Sequence, residues 1–346
     1  MDCNARCFYC YELGRPRVPM SDRVAQDAAD FIVRVGGGQA VKITWFGGEP
    51  LYNSRATDVI TASLRARDVS FRSIMISNGY LFDQKTVHKA REDWALDSVQ
   101  ITLDGTEETY NRTKAFIYRD GSAYRRVLGN IERLLAAGVR VSIRLNTNRE
   151  NLDDLAKLVD ELSDRFREQK GVTVYSVLLR DFGKGETHPE WEAESLTRWD
   201  GLQRKILASG IGGVKRLPLH IQSNGCMADC DSSVTILPDG RLGKCEHESE
   251  QLLVGSIYGS VTDMATVARW KEQIQVPACR TCPLAPNCIR LRLCSWNGDD
   301  CTDADRARIR LSVSQMILNE YHHYLAKKEG KDDESEAGID FSGFGR

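Results

Sequence analysis

The sequence predicts an α/β fold with a parallel sheet, followed by a small cysteine-rich unit and a closing helix. Three observations carry this. β-like runs alternate with helical stretches at a spacing of roughly 30–40 residues, the mark of βαβ units. The alternation stops near residue 183. Eight of the eleven cysteines then fall between Cys226 and Cys301.

Taken in order, residues 21–35 read as a helix with Ser21 as N-cap, stopped by Gly36-Gly37-Gly38. Strands follow at 41–46, 71–77, 98–103, 139–146 and 172–179, with helical stretches between them. The clearest helix is 122–137, with Val127, Ile131, Leu134 and Leu135 on one face and Gly138 as its stop. Another is 151–168, with Leu152, Leu155, Val159, Leu162 and Phe166 on one face. Residues 189–208 read as helical, Gly210–Gly213 as a linker, 261–273 as a short helix and 303–327 as the last helix. From Lys328 the chain is charged, Gly-rich and poor in core formers, which predicts a disordered tail. The expected units are 1–185, a helical linker 186–215, a cysteine-rich unit 216–327 and the tail 328–346.

The 346 residues carry a formal charge of −2. That argues against a nucleic-acid or anionic-membrane binder, which needs excess Lys and Arg. No apolar run approaches the ~20 residues that span a bilayer. The N-terminus lacks the basic and apolar stretches of a signal peptide, so a cytoplasmic protein is expected. Cytosolic thiols stay reduced, and clustered cysteines there point to metal.

Cys3, Cys7 and Cys10 form a C-x3-C-x2-C run, written CNARCFYC. Three thiolates can hold three irons of a cubane cluster and leave the fourth iron open. A three-cysteine fragment of a zinc site is the bland alternative. Further motifs follow at strand ends: Trp45-Phe46-Gly47-Gly48-Glu49-Pro50, Ser77-Asn78-Gly79 and Thr102-Leu103-Asp104-Gly105, with Arg144 on the next strand. Barrel enzymes build their sites on that face. Together these resemble the radical SAM superfamily over roughly residues 1–180. The resemblance implies a partial (β/α)6 barrel, and a [4Fe-4S] cluster on Cys3, Cys7 and Cys10 that chelates S-adenosylmethionine. It implies cofactor contacts from Tyr9, Gly47, Gly48, Glu49, Asn78, Thr102 and Arg144. Relatives have a strand before the three cysteines. Here only two residues precede Cys3, and a chain extended upstream is expected to be the more stable.

Cys226, Cys230, Cys245, Cys279, Cys282, Cys288, Cys294 and Cys301 make two sets of four. Gly240-x4-Cys245 and C-x2-C-x5-C resemble a SPASM module, which carries auxiliary clusters in radical SAM enzymes. Five residues separate Cys288 from Cys294, where relatives commonly have three. The resemblance implies one auxiliary [4Fe-4S] cluster on Cys226, Cys230, Cys245 and Cys294, and another on Cys279, Cys282, Cys288 and Cys301. Spacing alone leaves other partitions open, and two zinc sites suit C-x2-C equally. Without Cys230 as a ligand, the first auxiliary cluster has an open iron, or Cys230 serves as a hydrogen-atom donor. Glu246 follows Cys245 where sulfatase-maturing relatives have an Asp that resembles a general base; a solvated surface glutamate is the bland alternative. Trp296, between two proposed ligands, is read as a shield against water.

The expected activity is that of a maturase of ribosomally made peptides. It abstracts a hydrogen from a side chain or α-carbon and closes a thioether, C–C or C–O crosslink. The alternatives are an anaerobic sulfatase maturase forming formylglycine, an epimerase or carbohydrate-modifying radical enzyme, and a zinc- or iron-binding scaffold. The partners implied are a precursor peptide or protein, a flavodoxin or ferredoxin as electron donor, and a separate leader-recognition protein.

Overall fold

The computed structural model describes residues 2–179, 193–213, 226–247, 252–285, 288, 290–294 and 301–328. The expected tail, Trp296 and residues 189–192 of the predicted helix lie outside them.

Helix α1 (Asp22–Gly36) starts where Ser21 accepts a hydrogen bond from the Val24 amide, and Gly37 closes it in a left-handed conformation. There follow β1 (Val41–Trp45), α2 (Ser54–Arg65), β2 (Phe71–Ser77), α3 (Gln84–Glu92), β3 (Leu96–Leu103), α4 (Glu107–Lys114) and α5 (Ala123–Ala136). Then come β4 (Arg140–Thr147), α6 (Leu152–Phe166), β5 (Val172–Leu178) and α7 (Ala193–Ala208). The five strands form one parallel sheet in the order β1-β2-β3-β4-β5. Each strand pairs with its sequence neighbour, so all their C-terminal ends open at one rim. The stripe read on α6 is the buried one: Leu152, Leu155, Val159, Leu162 and Phe166 all enter the main core. Each such side chain contributes about 1.5–3 kcal/mol through burial.

The stretch read as a linker continues the sheet instead. The Val174 amide donates to the Ile211 carbonyl at 2.7 Å, and the Gly213 amide donates back to Val174 at 2.8 Å. A Cβ on Gly212 would lie 2.7 Å from the Ile206 carbonyl, so this glycine serves close approach rather than flexibility.

The second unit holds a small antiparallel sheet of β6 (Thr235–Ile236), β7 (Arg241–Gly243) and β8 (Gly255–Ser256). It packs against α1 and α2: Leu242, Val254 and Ile257 share one core with Ala28, Phe31 and Ile60. The helix expected over 261–273 is shorter, α8 (Met264–Arg269), begun by an Asp263 cap. It stops at Trp270, whose side chain turns into a third small core. Helix α9 (Asp303–Lys328) closes the described chain.

Asp83 caps α3, accepting from the Thr86 amide at 2.8 Å, and that bond holds its carboxyl below the usual range. A lowered folded pKa stabilises above the unfolded value, and the gain is lost as pH falls through the folded value. Asp83→Ala therefore lowers stability by about 1 kcal/mol at neutral pH. In urea melts, the gap to wild type closes below about pH 4.

Candidate active site

The site is built at the rim where β1–β4 end. The turn after β1 carries Gly47, Gly48 and Glu49. The Glu49 amide donates to the Asp2 carbonyl at 2.9 Å, which seats the start of the cysteine loop on this turn. A Cβ on Gly48 would lie 2.2 Å from that carbonyl oxygen, so only glycine admits the loop. The Glu49 carboxylate is buried. It accepts from the Leu51 amide (3.1 Å), the Ser77 hydroxyl (2.9 Å) and the Asn78 amide (2.8 Å). Burial pushes its pKa up to about 7 against those three donors. Glu49 thus fastens the β1 turn to the β2 turn. Asn78 in turn donates to the Asn4 side-chain oxygen at 2.6 Å and approaches the Cys3 sulfur at 3.9 Å.

The other side of the loop is held by a group the motifs did not announce. Lys114, the last residue of α4, is buried and forms an ion pair with Asp104 at 3.0 Å. It also donates to the Tyr9 hydroxyl (2.8 Å) and to Thr102 (2.6 Å). Tyr9 donates to Asp104 at 2.7 Å, and Asn146 donates to both. Burial opposes the Lys114 charge, but Asp104 and Cys7 outweigh it and the net shift is upward. Arg144 donates to Asn146 at 3.0 Å. Thr102 and Arg144 are direct partners across β3 and β4. Asp104 and Asn146 lie two positions further along each segment, which puts them on the same side of the chain. That alternation was the available signal for Asn146. Nothing local marks Lys114.

Left-handed Ala115 ends α4 and turns the chain back along the cysteine loop. The Arg6 amide donates to the Lys114 carbonyl at 2.8 Å and the Ile117 amide to the Asn4 carbonyl at 2.9 Å.

Beyond Cys10 the loop meets the second unit. Arg15 donates to the carbonyls of Glu246 (3.4 Å) and His247 (2.8 Å), and the Tyr11 and His247 rings lie 4.2 Å apart. The Glu246 side chain is half-buried, at 19% exposure, and lies 3.5 Å from the His247 ring. Burial raises its pKa and that of Glu12, and pushes His247 down to about 3, with Arg15 and Arg144 adding to the fall.

Ten of the eleven cysteines fall in three neighbourhoods, with Cys230 apart. Cys3, Cys7 and Cys10 share the loop and feel one another's charge; burial raises Cys3 to about 11 and lifts Cys10. Cys226, Cys245 and Cys294 pack around Trp270 and Leu291. Cys288 lies in the field of Cys301, Cys279 and Cys282. Cys230 faces Ser232 at 3.3 Å, and its carbonyl accepts from buried Lys244 at 2.6 Å. No group of three or more His, Cys, Asp or Glu among the described residues is close enough for a single metal ion. A cubane spreads its thiolates over separate irons, a wider arrangement. The donor set fits one. These are half-buried thiols that a cationic metal would ionise. Beside them, the buried amide nitrogen of Asn4 has no acceptor among the described groups.

The radical SAM superfamily model matches residues 2–162. Fe-coproporphyrin III synthase of Methanosarcina barkeri (strain Fusaro) is 24% identical over 162 residues, which is 47% of this chain and 39% of that one. The match thus spans about two-fifths of that relative's length. Among solved structures, native anSMEcpe with bound AdoMet has a TM-score of 0.70 at 14% identity, covering 96% of this chain and 97% of that one. The same protein with AdoMet and the Cp18Cys peptide also scores 0.70 at 14% identity, covering 95% and 96%. Streptococcus suis SuiB bound to precursor peptide SuiA scores 0.52 at 14% identity, covering 84% and 69%. The shared fold therefore extends over nearly the whole chain.

Proposed function

Since this chain belongs, through residues 2–162, to the radical SAM superfamily, we propose that it is a peptide maturase that crosslinks its substrate. The carrying observation is the cysteine loop, fastened between the Gly48–Glu49 turn and the Lys114–Asp104 pair, with Glu246 and His247 of the second unit closing over its far end. In this reading Cys3, Cys7 and Cys10 hold a [4Fe-4S] cluster, and Cys226, Cys230, Cys245 and Cys294, with Cys279, Cys282, Cys288 and Cys301, hold two auxiliary ones. The cluster, when bound, supplies the electron that cleaves S-adenosylmethionine to the 5′-deoxyadenosyl radical. We place the end of the core near Gly213, where the chain last pairs with β5.

The chain's own residues divide the work. Glycines 47 and 48 bring backbone toward S-adenosylmethionine, Gly48 with its side-chain position against Asp2, and Asn78 and Arg144 offer polar groups. Glu49 accepts three hydrogen bonds that position Asn78, and its carboxylate keeps acceptor capacity for S-adenosylmethionine. The polar tips of Tyr9 and Thr102 are held by Lys114, which leaves the Tyr9 ring for contact. In this reading Glu246 accepts the substrate's proton, since a half-buried carboxylate of raised pKa is the stronger base. The solved relatives that hold the Cp18Cys peptide or SuiA support a peptide as substrate class. A flavodoxin or ferredoxin would supply electrons, and a separate protein would present the leader.

The test is anaerobic reconstitution with iron and sulfide, followed by S-adenosylmethionine and dithionite. About 12 irons per chain with release of 5′-deoxyadenosine are expected. Products of short reading frames beside the gene, incubated with the enzyme, are expected to lose a pair of hydrogens as a new internal bond. Zinc in place of iron, with no deoxyadenosine from folded protein, overturns the reading. Formylglycine in the product transfers it to sulfatase maturation.

A further inference from the structure

Trp270 is fully buried, at 0% exposure, and its indole nitrogen has no acceptor among the described groups. Buried indoles normally find one. In this chain Trp94 donates to Asp58 at 2.8 Å and Trp199 donates to Ser176 at 2.8 Å. Half-buried Trp45 also lacks an acceptor, and it ends β1, at the rim that carries the cysteine loop. Leaving an indole N–H dry and unpaired is costly, and a phenylalanine would fill much of the same space without that cost.

The surroundings of Trp270 supply one kind of side-chain acceptor. It shares a small core with Ala228 and Leu291, and Cys226, Cys245 and Cys294 pack against that core. The remaining members are aliphatic, so sulfur is what their side chains can offer an N–H. Cys226 lies in the field of Cys294, so two distant segments bring thiols to one spot. The chain on both sides of the indole is held. The Trp270 amide donates to the Thr266 carbonyl at 3.1 Å, which ties it to α8. Just after it, the Arg292 amide donates to the Glu272 carbonyl at 2.8 Å and the Ile274 amide to the Arg290 carbonyl at 2.7 Å. The Cys294 amide then donates to the Leu291 carbonyl at 3.1 Å. The segment that carries Cys294 is thereby stitched to the residues that follow Trp270. A ring this closely packed has little freedom to turn its nitrogen elsewhere.

We infer, resting on the reading of Cys226, Cys230, Cys245 and Cys294 as an auxiliary-cluster site, that the Trp270 indole N–H donates a hydrogen bond to a sulfur of that cluster and raises its reduction potential. Hydrogen bonds to sulfur are one of the levers by which a protein sets such potentials. An N–H pointed at sulfur favours the more negative, reduced form. Trp270 is therefore a tuning residue, and neither a ligand nor a group that touches substrate.

The test uses the full chain with Cys3→Ala/Cys7→Ala/Cys10→Ala, which leaves only the auxiliary sites and silences the rim beside Trp45. Reconstituted with iron and sulfide, it is expected to hold about 8 irons. With a heavy-nitrogen label in the indole rings, pulsed EPR of the reduced protein is expected to show an indole nitrogen coupled to a cluster. Trp270→Phe is expected to abolish that coupling, and Trp191→Phe/Trp296→Phe to keep it. Trp270→Phe is also expected to make one of the two clusters about tenfold harder to reduce, a fall of about 59 mV for one electron, with the other unmoved. Trp94→Phe, whose nitrogen serves Asp58, is expected to move neither. About 8 irons without indole coupling overturns the inference and leaves the auxiliary-cluster reading standing. So does a coupling and a pair of potentials that Trp270→Phe leaves unchanged. Zinc in place of iron, or no cluster signal, overturns both. Should Trp270→Phe fail to load iron, the label decides in the chain that keeps Trp270: coupling that survives Trp191→Phe/Trp296→Phe supports the inference, and its loss overturns it.

Discussion

Lys114→Met is expected to lower the stability of the barrel by about 3–5 kcal/mol, the usual cost of removing one partner from a buried ion pair. In a unit of roughly 200 residues that is a fall of about 6–20 °C in melting temperature. Methionine keeps most of the volume, so the loss is electrostatic rather than a cavity. It leaves the Asp104 carboxylate buried with only Tyr9 and Asn146 as donors. Thermal melts with and without iron check it. The partner variant sharpens the test. Asp104→Leu in the Lys114→Met background removes the stranded charge and should restore part of the loss. Full restoration is not expected, because Tyr9 and Asn146 lose their acceptor. A coupling energy near zero in the double-mutant cycle would refute the pairing.

Gly48→Ala is expected to strip the cysteine loop of its metal while sparing the rest of the fold. Gly48 does not need glycine's conformational freedom; among the positive-φ glycines, its neighbour Gly47 is the one at φ 134°. What Gly48 needs is space, since a Cβ there would stand 2.2 Å from the Asp2 carbonyl oxygen and 2.8 Å from its carbon. Backbone cannot yield as a side-chain tip can. The loop must lift, breaking the Glu49–Asp2 hydrogen bond and moving Cys3 off Asn78. Crowding of this kind costs about 1–3 kcal/mol locally. The larger effect is on loading. About 8 irons per chain are expected in place of about 12, with deoxyadenosine formation down more than tenfold. Iron analysis and the dithionite assay together decide it. A variant with full iron content and wild-type turnover would show that the loop tolerates the shift.

The parts of this site that were legible in the sequence are those with a local signature. Cysteine spacing, Gly-Gly-Glu-Pro after a strand and the period-2 pattern at strand ends are all set by residues near one another in the chain. Glu49 and Asn78 meet because adjacent strands end together. Lys114 escaped notice because its meaning lies in partners 10 to 105 residues away; an isolated lysine late in a short, charged helix reads as surface. Gly210–Gly213 differs from its sequence pattern for the opposite reason: glycines suggest flexibility, and here Gly212 permits a helix end to crowd the strand pairing with β5. Residues 261–273 read as a longer helix because propensity does not see that Trp270 is worth more buried beside Cys226 and Cys245 than extended along α8.

The Arg15 contact has a kinetic side. It joins residues 232 apart in sequence, and closing so long a loop draws its cost in chain entropy before any contact offsets it. The sheet, by contrast, zips between sequence neighbours. Contacts of high sequence separation form late. The sheet is therefore expected to form before the second unit docks, which would leave the cysteine loop open to iron delivery during that interval. Once Arg15 binds the 246–247 carbonyls, access to the loop beyond Cys10 is expected to narrow. Metal supplied to the finished chain should enter more slowly than metal supplied during refolding.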